Sequence, residues 1–442
     1  MLFKYHNSSD APEHVTLSLD AVSLAFMAHN TASPSAADLG RRKYVSALRK
    51  INTELQHAES AKKASTFEGA LLLDLYEKMT KSATAFNTGR NAHVEGALAL
   101  VKLRGVEDFK DESEVKSMLG LSLNATVCSL AAGQRIPAQV RAIRAHVGQF
   151  VDITDPKWRL SDAMLEMADL TADVRANRLT KEEKITRCIE LDSLLGDIAH
   201  EGHPEWRRKR IIIPYEYRAG TLPEGVPPIY DVYPNRTVAQ SLNILRLNRI
   251  LLCEDLLAPH THANIEICSK ATTTITAMIH EICASIPHMT DCSFAASSKL
   301  PPDAPCKHPT ASQPTPHHTI AHVLDAYTLV FPLYILAWSR HCPPKIRTWA
   351  LDHLTHIATH FGIRESGIVR DIVLNGHPGP QPEERRIEEI QPDEHQHENH
   401  PTNVSTLDTN ASVKSGLGDQ ASLDTWYVYP SLASTPLYPF YV

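Results

Sequence analysis

The sequence predicts an all-α fold, a large helical array over residues 15–375 followed by a disordered C-terminal tail over residues 376–442. Three observations predict it. Apolar residues recur at spacings of three and four along most of the first 375 residues. Strand-type alternation is almost absent. Beyond Gly376 the apolar periodicity stops and acidic, Ser, Thr and Asn residues take over.

The elements follow in order. Residues 1–14 carry no helical stripe and are expected to be flexible. They also lack the apolar run of a secretory leader, so a soluble, intracellular chain is expected. Leu17, Ala21, Leu24, Ala25 and Ala28 make the first stripe. Ser33-Pro34 supplies a cap and a first-turn proline for the next helix. Tyr44, Leu48, Ile51 and Leu55 form a second stripe, Ala70, Leu71, Leu75 and Met79 a third, and Val94, Leu98, Val101 and Leu103 a fourth. Thr180-Lys-Glu-Glu183 is a capping box that opens a helix running towards Ile198.

Residues 203–235 are rich in Pro, Gly and Tyr and are expected to form an ordered crossing loop. RIIIPYEY at 210–217 is the strand candidate there, and Pro214 argues against a regular central strand. Helical spacing resumes at about 236–258 and 262–286. Residues 287–318 read as a flexible loop. Helices are then expected at about 319–340, at 344–361, and in a shorter piece ending near Asn375. The most apolar stretch, LVFPLYILAW at 329–338, is too short to span a bilayer, so no membrane association is expected. No repeat of fixed period is present, which argues against a solenoid.

Composition narrows the function. Hydrophobic residues make up 43% and charged residues 21%, a balance that can bury a core. The net charge is −7, from 44 basic and 51 acidic side chains, which works against binding to nucleic-acid phosphates. The eight cysteines, at 128, 188, 253, 268, 283, 292, 306 and 342, form no Cys-x-x-Cys pair. Reduced, mostly buried thiols are expected, with no zinc framework and no redox motif.

Several stretches have the residue types of a site. His353, His356 and His360 share one helical face at metal-ligand spacing. Ile346, Ala350, Leu354, Ile357 and Phe361 form the adjoining apolar band, and no carboxylate joins the histidines on their face. They are therefore expected to face solvent or a partner, and no metal or other cofactor is expected. Arg207, Arg208, Lys209 and Arg210 form a compact basic run, a candidate nuclear import signal or phosphate patch, with a solvated loop edge as its simpler reading. His395, His397 and His400 are low-complexity histidines in the tail. Gly416-Leu-Gly418-Asp-Gln-Ala421 resembles a dinucleotide fingerprint but lacks a preceding strand. No Walker loop, G-x-S-x-G elbow or H-E-x-x-H is present, and no catalytic residue is assigned.

Six stretches resemble one known family. HVEGALALVKLRG at 93–105 is similar to a helix of the fungal-specific transcription-factor regulatory domain. YDVYPNRTVAQSLNILRLNRILLCEDLL at 230–257 resembles another, with a Tyr-Pro entry and an Asn-x-x-Arg-x-x-Arg helix. IHEICASIP at 279–287 looks like a further helix ending in proline, and residues 325–366 resemble the closing helical hairpin. LSLDAVSLAFMAHN and FEGALLLDLYEKMT fit the opening helices. Family members often carry tryptophan where this chain has Leu242 and Phe331.

The resemblance implies an all-α regulatory domain of the binuclear zinc-cluster transcription factors and a nuclear role. That family reads DNA through six cysteines near the N-terminus, whereas the first cysteine here is Cys128. Specific DNA binding by this chain alone is therefore not expected. The implied partners are the transcription machinery or another family member, with an unidentified small effector as a further option. A helical interaction scaffold without a transcriptional role is the alternative, and a helical enzyme comes behind it.

Overall fold

The computed structural model describes residues 11–31, 33–80, 92–200, 203–213, 222–290 and 320–375. The tail from 376, its histidines and its glycine motif lie outside the described residues, as do Cys292 and Cys306. The described fold is all-α with one small hairpin. The helices are α1 (Glu13–Thr31), α2 (Pro34–Glu54), α3 (Ala64–Thr80), α4 (Ala92–Arg104), α5 (Glu112–Ala132), α6 (Ala138–Val147), α7 (Pro156–Arg175) and α8 (Lys181–His200). The antiparallel strands β1 (Lys209–Ile212) and β2 (Ile229–Val232) follow, with Arg210 opposite Asp231. Then come α9 (Arg236–Leu257), α10 (Ile265–Thr290), α11 (Ile320–Tyr327), α12 (Val330–Trp338), α13 (Pro344–His360) and α14 (Arg364–Leu374).

Local signals start these helices. Ser33 accepts a hydrogen bond from the Ala36 amide at 3.3 Å, and Pro34 fills the first turn of α2. Thr180 and Glu183 close the expected box: the Thr180 amide donates to Glu183 Oε2 at 2.8 Å, and the Glu183 amide donates to Thr180 Oγ1 at 3.1 Å. Asn235 Oδ1 accepts from the Val238 amide at 3.0 Å and starts α9.

One large core joins α3 through α14. Helix α9 sits in its middle, between α8 and α10, and touches α7 and α12. Two small clusters (Ala21, Ala25 and Tyr76; Ala47, Ile51 and Leu73) tie α1 and α2 onto α3. Helix α3 is buried all round from Ser65 to Leu73, rather than along one stripe. Segments 112–132 and 321–338 are apolar enough to cross a bilayer by composition, but 72% and 61% of their apolar windows are buried inside the fold.

The structure corrects five sequence expectations. Leu103 is 50% exposed and Leu55 is 42% exposed. Leu103 lies two residues beyond Val101, about 200° around the helix, so it leaves the buried face. Leu55 falls past the last turn of α2, where the chain turns away. Helix α10 runs three residues past Pro287 to Thr290. Proline removes one amide donor there, but Ile286, Pro287, His288 and Met289 are buried, and that burial holds the last turn. The expected 319–340 helix is broken at Thr328–Leu329. Pro332 has no amide for the Thr328 carbonyl, so it is accommodated in the first turn of a new helix, α12. At the N-terminus, Glu13 and His14 already belong to α1, and His14 is buried beside Gly69.

Leu98→Ala should lower unfolding free energy by about 2–5 kcal/mol, because it empties a buried site, while Leu103→Ala should change it by less than about 0.5 kcal/mol. Urea denaturation followed by circular dichroism measures both, and equal losses would contradict the burial of only one face of α4.

Candidate functional site

The basic run lies at and just before β1. Strand pleating sends Arg208 and Arg210 to one side and Arg207 and Lys209 to the other. Arg207 and Lys209 are exposed. Arg208 Nε lies 2.9 Å from Asp231 Oδ2, and its Nη2 donates to Glu281 Oε1 at 3.1 Å. Arg210 grips Asp231 with two parallel bonds, Nε to Oδ1 at 2.8 Å and Nη2 to Oδ2 at 3.1 Å. The Asp231 side chain is fully buried. Half of the run is therefore paired with the buried Asp231, although Arg210 itself remains exposed.

The Asn-x-x-Arg-x-x-Arg segment of α9 supplies the other half of that centre. Arg246 is 1% exposed. Its Nε donates to Glu281 Oε2 at 3.0 Å, and its Nη1 donates to the Tyr233 hydroxyl at 3.0 Å and to Asn243 Oδ1 at 2.7 Å. Its Nη2 stands 3.8 Å from Asp231 Oδ2, an ion pair beyond hydrogen-bond length. Asn243 Nδ2 donates to Ser285 Oγ on α10 at 3.0 Å. One turn on, Arg249 makes a bidentate pair with Asp192 of α8 at 2.7 and 3.1 Å.

The electrostatics of this centre are fixed rather than titrating. Burial pushes the Glu281 carboxyl up, and the charges of Arg246 and Arg208 outweigh it and hold the pKa below the usual range. Burial pushes the Tyr233 phenol up, so it stays protonated. Arginine does not give up its proton in this pH range. The arrangement clamps the hairpin to α9 and α10, and these groups offer no general base.

The histidine face of α13 divides in two. His353 Nδ1 lies 3.0 Å from the Trp349 carbonyl, and its ring packs on the Trp349 ring at 4.0 Å. A carbonyl only accepts, so Nδ1 carries the proton. Burial lowers the pKa of His353. His356 and His360 stack on each other at 4.6 Å beside Phe361. Ile346, Ala350, Leu354 and Ile357 are buried beneath them. Among the described residues no group of three or more His, Cys, Asp or Glu side chains is placed to hold a metal ion.

Sequence reasoning missed three further polar sets. Glu254 on α9 accepts from Ser339 and lies 2.9 Å from His341 Nδ1, which locks the end of α12 to α9. Tyr44, Glu77 and His93 meet within 3.1 Å of one another across α2, α3 and α4. Asp173 on α7 gathers three arginines. None has a local motif, because the partners of each set lie on different elements. Burial pushes the thiols of Cys188 and Cys342 up to about 12, so they stay protonated.

No family model, curated protein or solved structure matches the chain.

Asp231→Ala should cost about 3–5 kcal/mol, because it leaves Glu281 alone to balance Arg208 and Arg246 and takes the bidentate partner from Arg210. Chemical denaturation measures the loss, and a change below about 1 kcal/mol would show that the centre does not hold the hairpin.

Two histidines should give opposite pH signatures. The hydrogen bond to Glu254 raises His341 above the ordinary 6.5, so its contribution is full below 6.5 and fades as pH rises through its folded pKa. Burial lowers His353 below 6.5, so its contribution is full above 6.5 and is lost on acidification. His353→Gln should therefore flatten the acid limb of melting temperature against pH, and His341→Gln should lower the melting temperature most below pH 6.5. Parallel curves for both variants and the parent would contradict these assignments.

Proposed function

We propose that this chain is a nuclear transcription regulator, a helical regulatory domain of the fungal zinc-cluster type, that acts through protein contacts. One observation carries the reading. The stretches that resemble the family fold as α4, as β2 with α9, as the end of α10, and as α11 through α13, and they share one core. The Asn243, Arg246 and Arg249 motif lies at its centre and joins the hairpin, α8 and α10. That is the behaviour of one cooperative domain rather than of unrelated helices.

Charge supports action without direct DNA reading. Residues 376–442 carry ten acidic and three basic side chains, the whole net charge of −7, so the rest of the chain is neutral. A neutral body with an acidic extension gains little from phosphate counterion release. The tail is assigned to contacts with the transcription machinery. Nuclear entry is assigned to partner contacts rather than to the basic run, because Asp231 holds Arg208 and Arg210.

Two measurements test this. The full chain fused to a foreign DNA-binding domain should change transcription of a matched reporter several-fold in fungal cells, and an unchanged reporter at equal nuclear expression would refute a regulatory role. In a titration against genomic DNA fragments at physiological salt, the chain alone should show no sequence-selective binding. Nanomolar selective binding would mean that it contains a DNA-reading element of its own.

A further inference from the structure

Asp173 lies near the C-terminal end of α7 with a side chain only 5% exposed. Three arginines converge on it from three parts of the chain. Arg135, just after α5, donates from Nε at 3.0 Å and from Nη2 at 2.6 Å to Oδ1. Arg178, in the α7–α8 turn, donates from Nε to the same oxygen at 2.9 Å. Arg187 on α8 donates from Nη1 to Oδ2 at 2.9 Å. Burial works against ionisation of Asp173, and the bonds from Arg135, Arg187 and Arg178 outweigh it and hold the carboxyl at about 2.

One arginine would neutralise this carboxylate, so three leave a local surplus of two positive charges. The neighbouring charges leave the group positive. Arg141 is taken up by Asp169 and Glu166, and Arg175 donates to the Ala132 carbonyl. With Arg141 and its two carboxylates included, four guanidinium ions stand against three carboxylates, and the excess stays with the three arginines bonded to Asp173.

The unused donors are available. Arg178 also spends Nη2 on the Ala172 carbonyl. Nη1 of Arg135, Nη1 of Arg178, and Nε and Nη2 of Arg187 have no protein acceptor among the described residues. The side chains of Arg135 and Arg178 are 57% and 50% exposed, so their free edges reach solvent above the buried carboxylate.

We propose that Arg135, Arg178 and Arg187 form a recognition site for a phosphate monoester, with Asp173 as the buried post that fixes the three guanidinium planes. A phosphate monoester carries close to two negative charges near neutral pH and three acceptor oxygens. It matches the surplus charge and the three free arginine edges together. A carboxylate would leave one charge unmatched, and so would a nucleic-acid phosphodiester. Planar forks recognise phosphate with a fixed geometry that a lysine does not offer. The site does not depend on the transcriptional reading above.

Calorimetric titration of the full chain at constant ionic strength tests the proposal. The probes are a short Gly/Ala peptide containing phosphoserine, its unphosphorylated form, and free phosphoserine. The phosphorylated probes should bind and the unphosphorylated peptide should give no heat. A peptide at least tenfold tighter than free phosphoserine assigns the ester to a partner protein, and equal affinities assign it to a small free ester. Arg135→Gln/Arg178→Gln should weaken binding at least tenfold with an unchanged circular dichroism spectrum. Arg135→Lys/Arg178→Lys should still lose several-fold, because charge survives and the fork does not. In the unaltered chain, the NMR signals of the Arg135, Arg178 and Arg187 Nε–H groups should shift with phosphoserine, a readout that needs no variant. Equal binding of the unphosphorylated peptide, silent arginine signals, or a glutamine double variant that binds like the parent would overturn the site.

Discussion

A guanidinium ion in the middle of an apolar core organises this molecule. Arg246 sits on α9, the helix against which α7, α8, α10 and α12 pack, and it is shielded from water. A charge there is tolerable only with partners at fixed positions. Asp231 must come from the hairpin, Glu281 from α10, and Tyr233 and Asn243 from either end of the β2–α9 junction. These demands account for the strand pair that stands among the helices of the described residues. The hairpin is short and edge-like, and its pairing alone would be marginal. Its arginines and Asp231 close onto α9 and α10, so it is held by charge geometry as well as by its backbone ladder. A buried ion-pair set adds little net stability over an apolar core of the same shape, but breaking one member is costly. Its effect is therefore to select a single register for the hairpin and a single rotation for α9.

The same chemical device appears twice with opposite outcomes. Asp231 and Asp173 each gather three arginines. At Asp231 a second carboxylate, Glu281, takes up part of the surplus, and the tyrosine and asparagine fill Arg246. That centre is closed. At Asp173 no second carboxylate is bonded to the three arginines among the described residues, and the outer edges of Arg135 and Arg178 face water. A closed set fixes a fold, whereas an open set on the surface retains binding capacity. The difference lies in the acceptor count, not in the arginines.

Helix starts were legible because they are local chemistry. Ser33-Pro34 and the Thr180–Glu183 box hold their signals within four residues, and the structure places them as read. The buried stripe of α13 was legible for the same reason. Leu103 was misplaced because counting apolar residues ignores angular phase. The continuation of α10 beyond Pro287 was hidden because tertiary burial outweighs a local breaker. The ion-pair sets were not legible. Arg135 and Asp173 lie 38 residues apart, and Arg208 and Glu281 lie 73 apart, so only the packed helices bring them together. The basic run showed the converse: a compact string of four cations looked like one surface feature, and strand pleating turned two of them onto the buried Asp231.

The charge distribution joins the site to the rest of the surface. The net −7 resides entirely in residues 376–442, and the remainder holds equal numbers of acidic and basic side chains. An anion approaching the helical body therefore meets no general repulsion from it, and local imbalance decides where it settles. The Asp173 group is such an imbalance, with three arginines, from the loop after α5, the α7–α8 turn and α8, bonded to one buried carboxylate. Exposed charges are screened within about 8–10 Å at physiological salt, so this surplus acts only at close range. Short range favours a ligand that can place an anionic group directly against the guanidinium edges over an extended anionic polymer drawn in from a distance. A neutral body with one fixed, oriented cationic point discriminates by geometry, where a broadly basic surface would discriminate only by charge.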